Sequence, residues 1–198
     1  MTRPTILLAA LAAVALAVGL FLRSDGASQP PAAQADDGGA RVLLRNVAGN
    51  PVGVAKLTED DGEVLVRVTV HDLPAGFHGF HIHANNDSSN GSGCVAPAFT
   101  SADGHLNPAA QGHPGHAGDM PVLLVNADGT GEARFKTDRV SVAGVIGGAL
   151  IIHASPDNYA NIPVRYLAPP ATITAVDAAT LGTGDAGGRI ACGVIERG

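Results

Sequence analysis

Residues 63–70 read EVLVRVTV, with Val64, Val66, Val68 and Val70 on one side of a two-residue repeat and Glu63, Leu65, Arg67 and Thr69 on the other. That alternation fits a β-strand with one buried face and does not fit a helix, whose apolar positions recur every three or four residues. Asp60–Asp61–Gly62 precedes it as a turn signal. The same grammar runs through the folded part of the chain. Strands are expected at 41–47, 52–58, 63–70, 79–84, 120–126, 132–136, 149–153 and 189–196, with Ala133 and Phe135 facing inward in the sixth. Between them lie Gly/Pro-rich turns, drawn from 26 glycines and 13 prolines. No helix of ordinary length is evident after residue 22. Eight short strands with two long loops, 85–119 and 154–188, predict an all-β domain, an eight-stranded Greek-key β-barrel or sandwich. Loops that long are expected to be functional or tied down.

The first long loop and the strand before it hold most of the chemistry. Five of the eight histidines fall within 79–119. His81 and His83 share one face if 79–84 is a strand, which makes them a two-pronged metal claw. His105, His113, His116 and Asp119 make a closed three-histidine, one-carboxylate set of the kind that suits structural zinc. His81 and His83, with further histidines from elsewhere, make a nitrogen-only set that suits copper, and His153 at a strand end is the obvious addition. Spacing leaves open whether one histidine serves both metals. His71, before Asp72–Leu73–Pro74, reads as solvated, and His78 as a structural hydrogen-bonder.

Residues 6–22 are an unbroken apolar run after an N-terminal segment containing Arg3. They read as a signal peptide or a single membrane anchor. Residues 1–23 therefore form a leader or tether, 24–39 a disordered linker rich in Ser, Pro, Ala and Gln, and 40–198 the folded domain. Cleavage and a retained anchor both stay open. Export places the domain outside the cytoplasm: periplasmic, in the cell envelope, or secreted. It also makes a Cys94–Cys192 disulfide the better reading than two free thiols. Closing so long a loop contributes on the order of 4–5 kcal/mol in the chain-entropy model. The net charge of −6 argues against nucleic acid as a partner.

Five segments together resemble the Cu,Zn superoxide dismutase family in its exported bacterial form. They are GFHGFHIH (76–83), SADGHLNP (101–108), HPGHAGDMP (113–121), ALIIHASPDN (149–158) and GDAGGRIACGVI (184–195). The resemblance covers about 41–198. It implies copper ligands at His81, His83, His105 and His153. It implies zinc ligands at His105, His113, His116 and Asp119, with His105 bridging the two metals. Asp157 resembles the carboxylate that orients a ligand histidine on each metal; locally it also reads as a turn residue after Pro156. Arg189 resembles the anion-guiding arginine beside copper, and Cys94 and Cys192 the family disulfide. The implied reaction converts superoxide to dioxygen and hydrogen peroxide. In it copper cycles between two oxidation states, and His105 parts from copper and takes up a proton. Members occur as monomers and as homodimers. Asp103 stands where the family usually has Gly, and Leu106 where an aromatic is common. Only Pro114 and Gly115 separate His113 from His116. Arg165 is the only cation between His153 and Arg189.

Overall fold

A computed structural model describes residues 38–91, 93–161 and 177–198. The apolar run at 6–22, most of the 24–39 linker and Arg165 lie outside the described residues. Among these residues nine strands are formed: β1 Ala40–Asn46, β2 Pro51–Asp60, β3 Glu63–Val70, β4 Gly76–His78, β5 Phe80–His83, β6 Leu123–Val125, β7 Gly131–Thr137, β8 Ala149–His153 and β9 Arg189–Arg197. Two short helices accompany them, α1 Val142–Val145 and α2 Ala178–Thr183. Among the described residues no helix is long and apolar enough to cross a membrane.

Seven strands form one antiparallel sheet in the order β5-β8-β9-β1-β2-β3-β7, and β4 and β6 form a separate ribbon. The all-β reading therefore holds, with one more strand than the eight expected. The strand read at 79–84 is β5, Phe80–His83, and the additional strand is β4, Gly76–His78, set off from it at Gly79. There the backbone turns to the end of β8: His153 N donates to the Gly79 carbonyl and Gly79 N to the Ser155 carbonyl, both at 2.8 Å. The expected 120–126 strand shortens to Leu123–Val125, because Pro121 has no N–H to offer a ladder.

The alternation in β3 does what it predicts. Val64, Val66, Val68 and Val70 are all buried, Arg67 and Thr69 are exposed, and Leu65 is also buried. The β2–β3 hairpin closes through Asp61 (φ 56°) and Gly62 (φ 84°), two consecutive positive values that match the right-handed twist of paired strands. The valines meet Val42, Leu44, Leu57, Phe80, Ile82, Leu123, Leu150, Ile152 and Ile195 in one contiguous core. Ala133 and Phe135 are half-buried and pack on it, as does Leu106. Phe80 meets the Phe135 ring edge-on at 6.4 Å. Each fully buried side chain of this kind stabilises the fold by roughly 1.5–3 kcal/mol relative to exposure. The histidine-bearing strand β5 lies at one edge of the sheet, anchored on this core by Phe80 and Ile82.

Candidate metal centre

β5 pairs with β8 on one side only, with Phe80 opposite Ile152 and Ile82 opposite Leu150. Phe80 and Ile82 project into the core, so His81 and His83 project to the other face together. The free edge of β5 is taken by the long loop. Ile82 N donates to the Gly118 carbonyl at 2.9 Å, Ala84 N to the Gly104 carbonyl at 2.9 Å, and Leu106 N to the Ile82 carbonyl at 2.8 Å. These bonds lay His105 beside His83 and Asp119 beside His81 as isolated β-bridges. His153 arrives from β8, where the register against β9 shifts between Ile152 and His153. A shift of that kind re-aims a side chain at a strand end.

The result is two groups of buried donor atoms that share one residue. His81, His83, His105 and His153 form the first, and His105, His113, His116 and Asp119 the second. His105 lies between them, its ring 4.0 Å from that of His81 and 5.2 Å from that of His116. The spacer Pro114–Gly115 suffices to bring His113 and His116 together, with ring centroids 5.5 Å apart. Gly115 N closes the turn on the Gly112 carbonyl at 2.7 Å, and Arg139 Nη1 donates to the carbonyls of Pro114 at 2.8 Å and His116 at 3.3 Å.

The rings fit metals on their own chemistry. In the first group each imidazole has one nitrogen engaged and the other without a hydrogen-bond partner. His81 Nε2 meets Asp157 Oδ2 at 2.7 Å, His83 Nδ1 the Asp103 carbonyl at 2.8 Å, His105 Nδ1 Asp119 Oδ1 at 2.7 Å, and His153 Nδ1 the Gly187 carbonyl at 3.0 Å. Among the described residues, His81 Nδ1 and the Nε2 atoms of His83, His105 and His153 are buried with no hydrogen-bond partner. Buried polar atoms are normally satisfied. Four unsatisfied imidazole nitrogens within 4.8 Å of one another are the donor set that copper accepts. In the second group His105 Nδ1 and His116 Nδ1 lie 3.2 Å apart, and both face Asp119 Oδ1. His113 Nδ1 is 3.1 Å from Asp119 Oδ2, an ion-pair contact without hydrogen-bond geometry. Three nitrogens crowded on one carboxylate are the set zinc accepts.

Electrostatics keep three of these rings ready to ligate. Burial, reinforced by neighbouring histidines and Arg189, holds His83 well below its ordinary pKa. Burial likewise takes His153 down to about 3 and His105 to about 4, in spite of partners that pull the other way. Neutral imidazoles keep their lone pairs at neutral pH. His113 differs: burial pulls it down, yet the carboxylates of Asp119 and Asp157 outweigh that and raise it to about 9. Burial pushes Asp119 and Asp157 upward, but the histidines facing them hold both far below the usual carboxylate range.

Around the rings the structure places the remaining residues singled out by sequence. Asp157 has a fully buried side chain and accepts from His81 Nε2 at 2.7 Å, His113 Nε2 at 2.8 Å and Tyr159 N at 2.7 Å. It thus ties one ring of each group together. Arg189 opens β9, donating Nη1 to the Phe99 carbonyl and Nη2 to the Asp103 carbonyl. Cys94 and Cys192 are bonded, with Cα atoms 5.6 Å apart, fixing the first long loop to β9. His71 is exposed against Asp72 Oδ2 at 2.8 Å, outside both groups. His78 is buried, with Nδ1 on the His153 carbonyl at 2.7 Å and Nε2 on the Pro74 carbonyl at 2.8 Å, and it also stays outside.

Two further positions shape the site, one passed over in the sequence and one noted there only as a departure from the family's glycine. Gly184 ends α2 at φ 59°, and a Cβ there would lie 1.9 Å from Asp157 Oδ1 and 2.7 Å from His113 Nε2. Only the GDAGG run hinted at it. Asp103 adopts φ 62°, ψ −157°, a conformation that is essentially glycine's and costs on the order of 1–3 kcal/mol for another residue. The loop therefore keeps the backbone path of a glycine although an aspartate occupies it.

Comparisons agree with this construction. Residues 52–195 match the family model for copper/zinc superoxide dismutase (SODC). The chain is 37% identical over 187 residues to a "Superoxide dismutase [Cu-Zn]" of Mycolicibacterium paratuberculosis, covering 87% of this chain and 81% of the relative. It is 31% identical over 196 residues to one from Deinococcus radiodurans, covering 91% and 93%. Among solved structures, a double mutant of a SOD-like protein from Bacillus subtilis superposes with a TM-score of 0.61 at 31% identity, over 79% of this chain and 96% of that one. Two donor groups joined at one histidine, on a curled antiparallel sheet and within a sequence match spanning nearly the whole folded part, place the chain in the copper/zinc superoxide dismutase family.

Proposed function

We propose that His81, His83, His105 and His153 hold the copper of this superoxide dismutase and that His105, His113, His116 and Asp119 hold its zinc. The observation that carries the division is at His105. Its Nε2 is a partnerless nitrogen among the first group, while its Nδ1 belongs to the crowded set around Asp119. The overall reaction consumes two superoxide anions and two protons and yields dioxygen and hydrogen peroxide. Bound copper supplies a one-electron couple that accepts an electron from one superoxide and returns it to another.

The chain's own groups do the rest. Asp157 fixes the tautomers of His81 and His113 by accepting from their Nε2 atoms, so that each ring presents Nδ1 to its metal. The Asp103 and Gly187 carbonyls do the same from the other side for His83 and His153. His105 Nε2 is the atom at which the bridging ring takes up and gives back a proton. Arg189, held by two carbonyls beside this group, supplies the fixed positive charge that draws an anionic substrate toward a net acidic chain.

We place the enzyme outside the cytoplasm. The apolar run at 6–22 and the Cys94–Cys192 bond support that reading, because disulfides persist in oxidising compartments. Metal analysis of the purified chain with a superoxide-consumption assay tests the assignment. One copper and one zinc per chain are expected, with activity abolished in His153→Ala. Full activity without bound copper would sink the assignment.

A further inference from the structure

Asp103 belongs to neither donor group, yet three parts of the site meet on it. Its carbonyl accepts from His83 Nδ1 at 2.8 Å and from Arg189 Nη2. Its side chain points the other way along the loop. Oδ2 accepts from Asn86 N at 2.7 Å and Asp87 N at 2.9 Å, and Oδ1 from Asn90 Nδ2. The carboxylate therefore clamps the segment just after β5 to the segment carrying His105. It does so from a backbone conformation that a glycine adopts without strain. A negative charge also comes to stand on the residue whose carbonyl seats the guiding arginine. The two charges are neighbours, because the guanidinium donates to the carbonyl of the same residue that bears the carboxylate.

We propose that the Asp103 carboxylate is a positioning and charge-tuning group for substrate delivery: it locks the loop beneath Arg189 and offsets part of the positive field that Arg189 presents to superoxide.

The clamp and the charge separate by substitution. Asp103→Asn removes the charge and keeps the clamp. An amide oxygen can accept from Asn86 N and Asp87 N, and the Asn90 amide can reverse to present its oxygen to the new NH2. Asp103→Gly removes both and relaxes the backbone. Asp128→Asn takes the same unit of charge from the turn before β7, where the carboxylate is engaged by Thr130. It controls for net charge alone.

The inference rests on the role given to Arg189, so Arg189→Gln is measured alongside. The readout is kcat/KM for superoxide across ionic strength, with copper content and the dissociation constant of azide, an anionic probe, measured on each metal-loaded protein. Asp103→Asn is expected to raise kcat/KM about twofold at low ionic strength and to steepen its fall with salt, converging on the parent once the Debye length is short. Azide should bind tighter by a similar factor, at unchanged copper content. Asp103→Gly should show the same charge effect over a lower rate at high salt, where only the lost clamp counts. Asp128→Asn should leave the salt slope unchanged. An Asp103→Asn salt slope equal to the parent's, or one matched by Asp128→Asn, overturns the proposal. If Arg189→Gln leaves rate and slope unchanged, it is the reading of Arg189 that fails.

Discussion

The Asp157 carboxylate lies 2.8 Å from His113 Nε2, and its other oxygen takes His81 Nε2 at 2.7 Å, with no part of the side chain exposed to solvent. One buried group therefore dictates the tautomer of a histidine in each donor set. In Asp157→Asn the NH2 must face one of these Nε2 atoms. That ring then needs its lone pair there and its proton on Nδ1, the nitrogen that should ligate. Affinity for the metal on that side is expected to fall roughly 10- to 100-fold, the usual consequence of losing such a partner. Competition with a chelator, followed separately for copper and zinc, reads it; unchanged affinity for both would remove the orienting role.

Gly184 supports the same carboxylate from behind. Gly184→Ala places a methyl 1.9 Å from Asp157 Oδ1, on backbone already at φ 59°. The carboxylate has to move, because it is boxed in by His81, His113 and the Tyr159 amide. Zinc content should drop, because the same methyl would lie 2.7 Å from His113 Nε2, and the thermal midpoint should fall further than in Asp157→Asn. Normal zinc content in Gly184→Ala would mean that the loop gives way without disturbing the site.

Removing His153 deletes one of the four nitrogens of the first group and none of the second. His153→Ala is expected to retain zinc, lose tightly bound copper and show no dismutation above background. Because His153 is buried, its truncation also leaves a void costing on the order of 2–4 kcal/mol. Zinc content measured alongside copper distinguishes a site-specific loss from collapse of the whole cluster.

The disulfide joins residues 98 apart and carries the loop that presents the Phe99 carbonyl to Arg189. Its loss acts twice. The unfolded chain gains the entropy of an open loop, about 4–5 kcal/mol in that model. In the folded state one of the two carbonyls seating the guanidinium loses its anchor. A Cys94→Ser/Cys192→Ser double variant should unfold at markedly lower denaturant. At temperatures where it stays folded it should also show weaker salt dependence of rate than the parent. A large stability loss with an unaltered salt slope would confine the bond to the first role.

What was legible in the sequence followed from local patterns. The bounds of Glu63–Val70 and Ala149–His153 stand as read, because alternation or a short apolar run ends at a turn or a histidine. The donor residues announce themselves as histidines clustered in a Gly/Pro loop. β4 was hidden because Gly76–His78 is too short to carry a periodic signal, and its partner strand β6, Leu123–Val125, lies far along the chain. Gly184 and Arg139 escaped notice, and so did the clamp made by Asp103, for a related reason. Each acts through a backbone conformation or a carbonyl across the fold, and neither leaves a periodic trace.

The hydrogen bonds from β5 to the metal-binding loop have a consequence beyond ligation. β5 is an outer strand of the seven-stranded sheet, and the segments around Gly104, Leu106 and Gly118 are what occupy its outward-facing amides and carbonyl. An uncovered outer strand is a template for pairing with another chain. The loop carrying His105, His116 and Asp119 covers the edge that such pairing would use. Stripping the metals is expected to speed amide exchange at Ile82 and Ala84 ahead of the β2–β3 hairpin, and to make aggregation rate depend on zinc more than on copper. Equal exchange at both places would show that the loop stays seated without its ions.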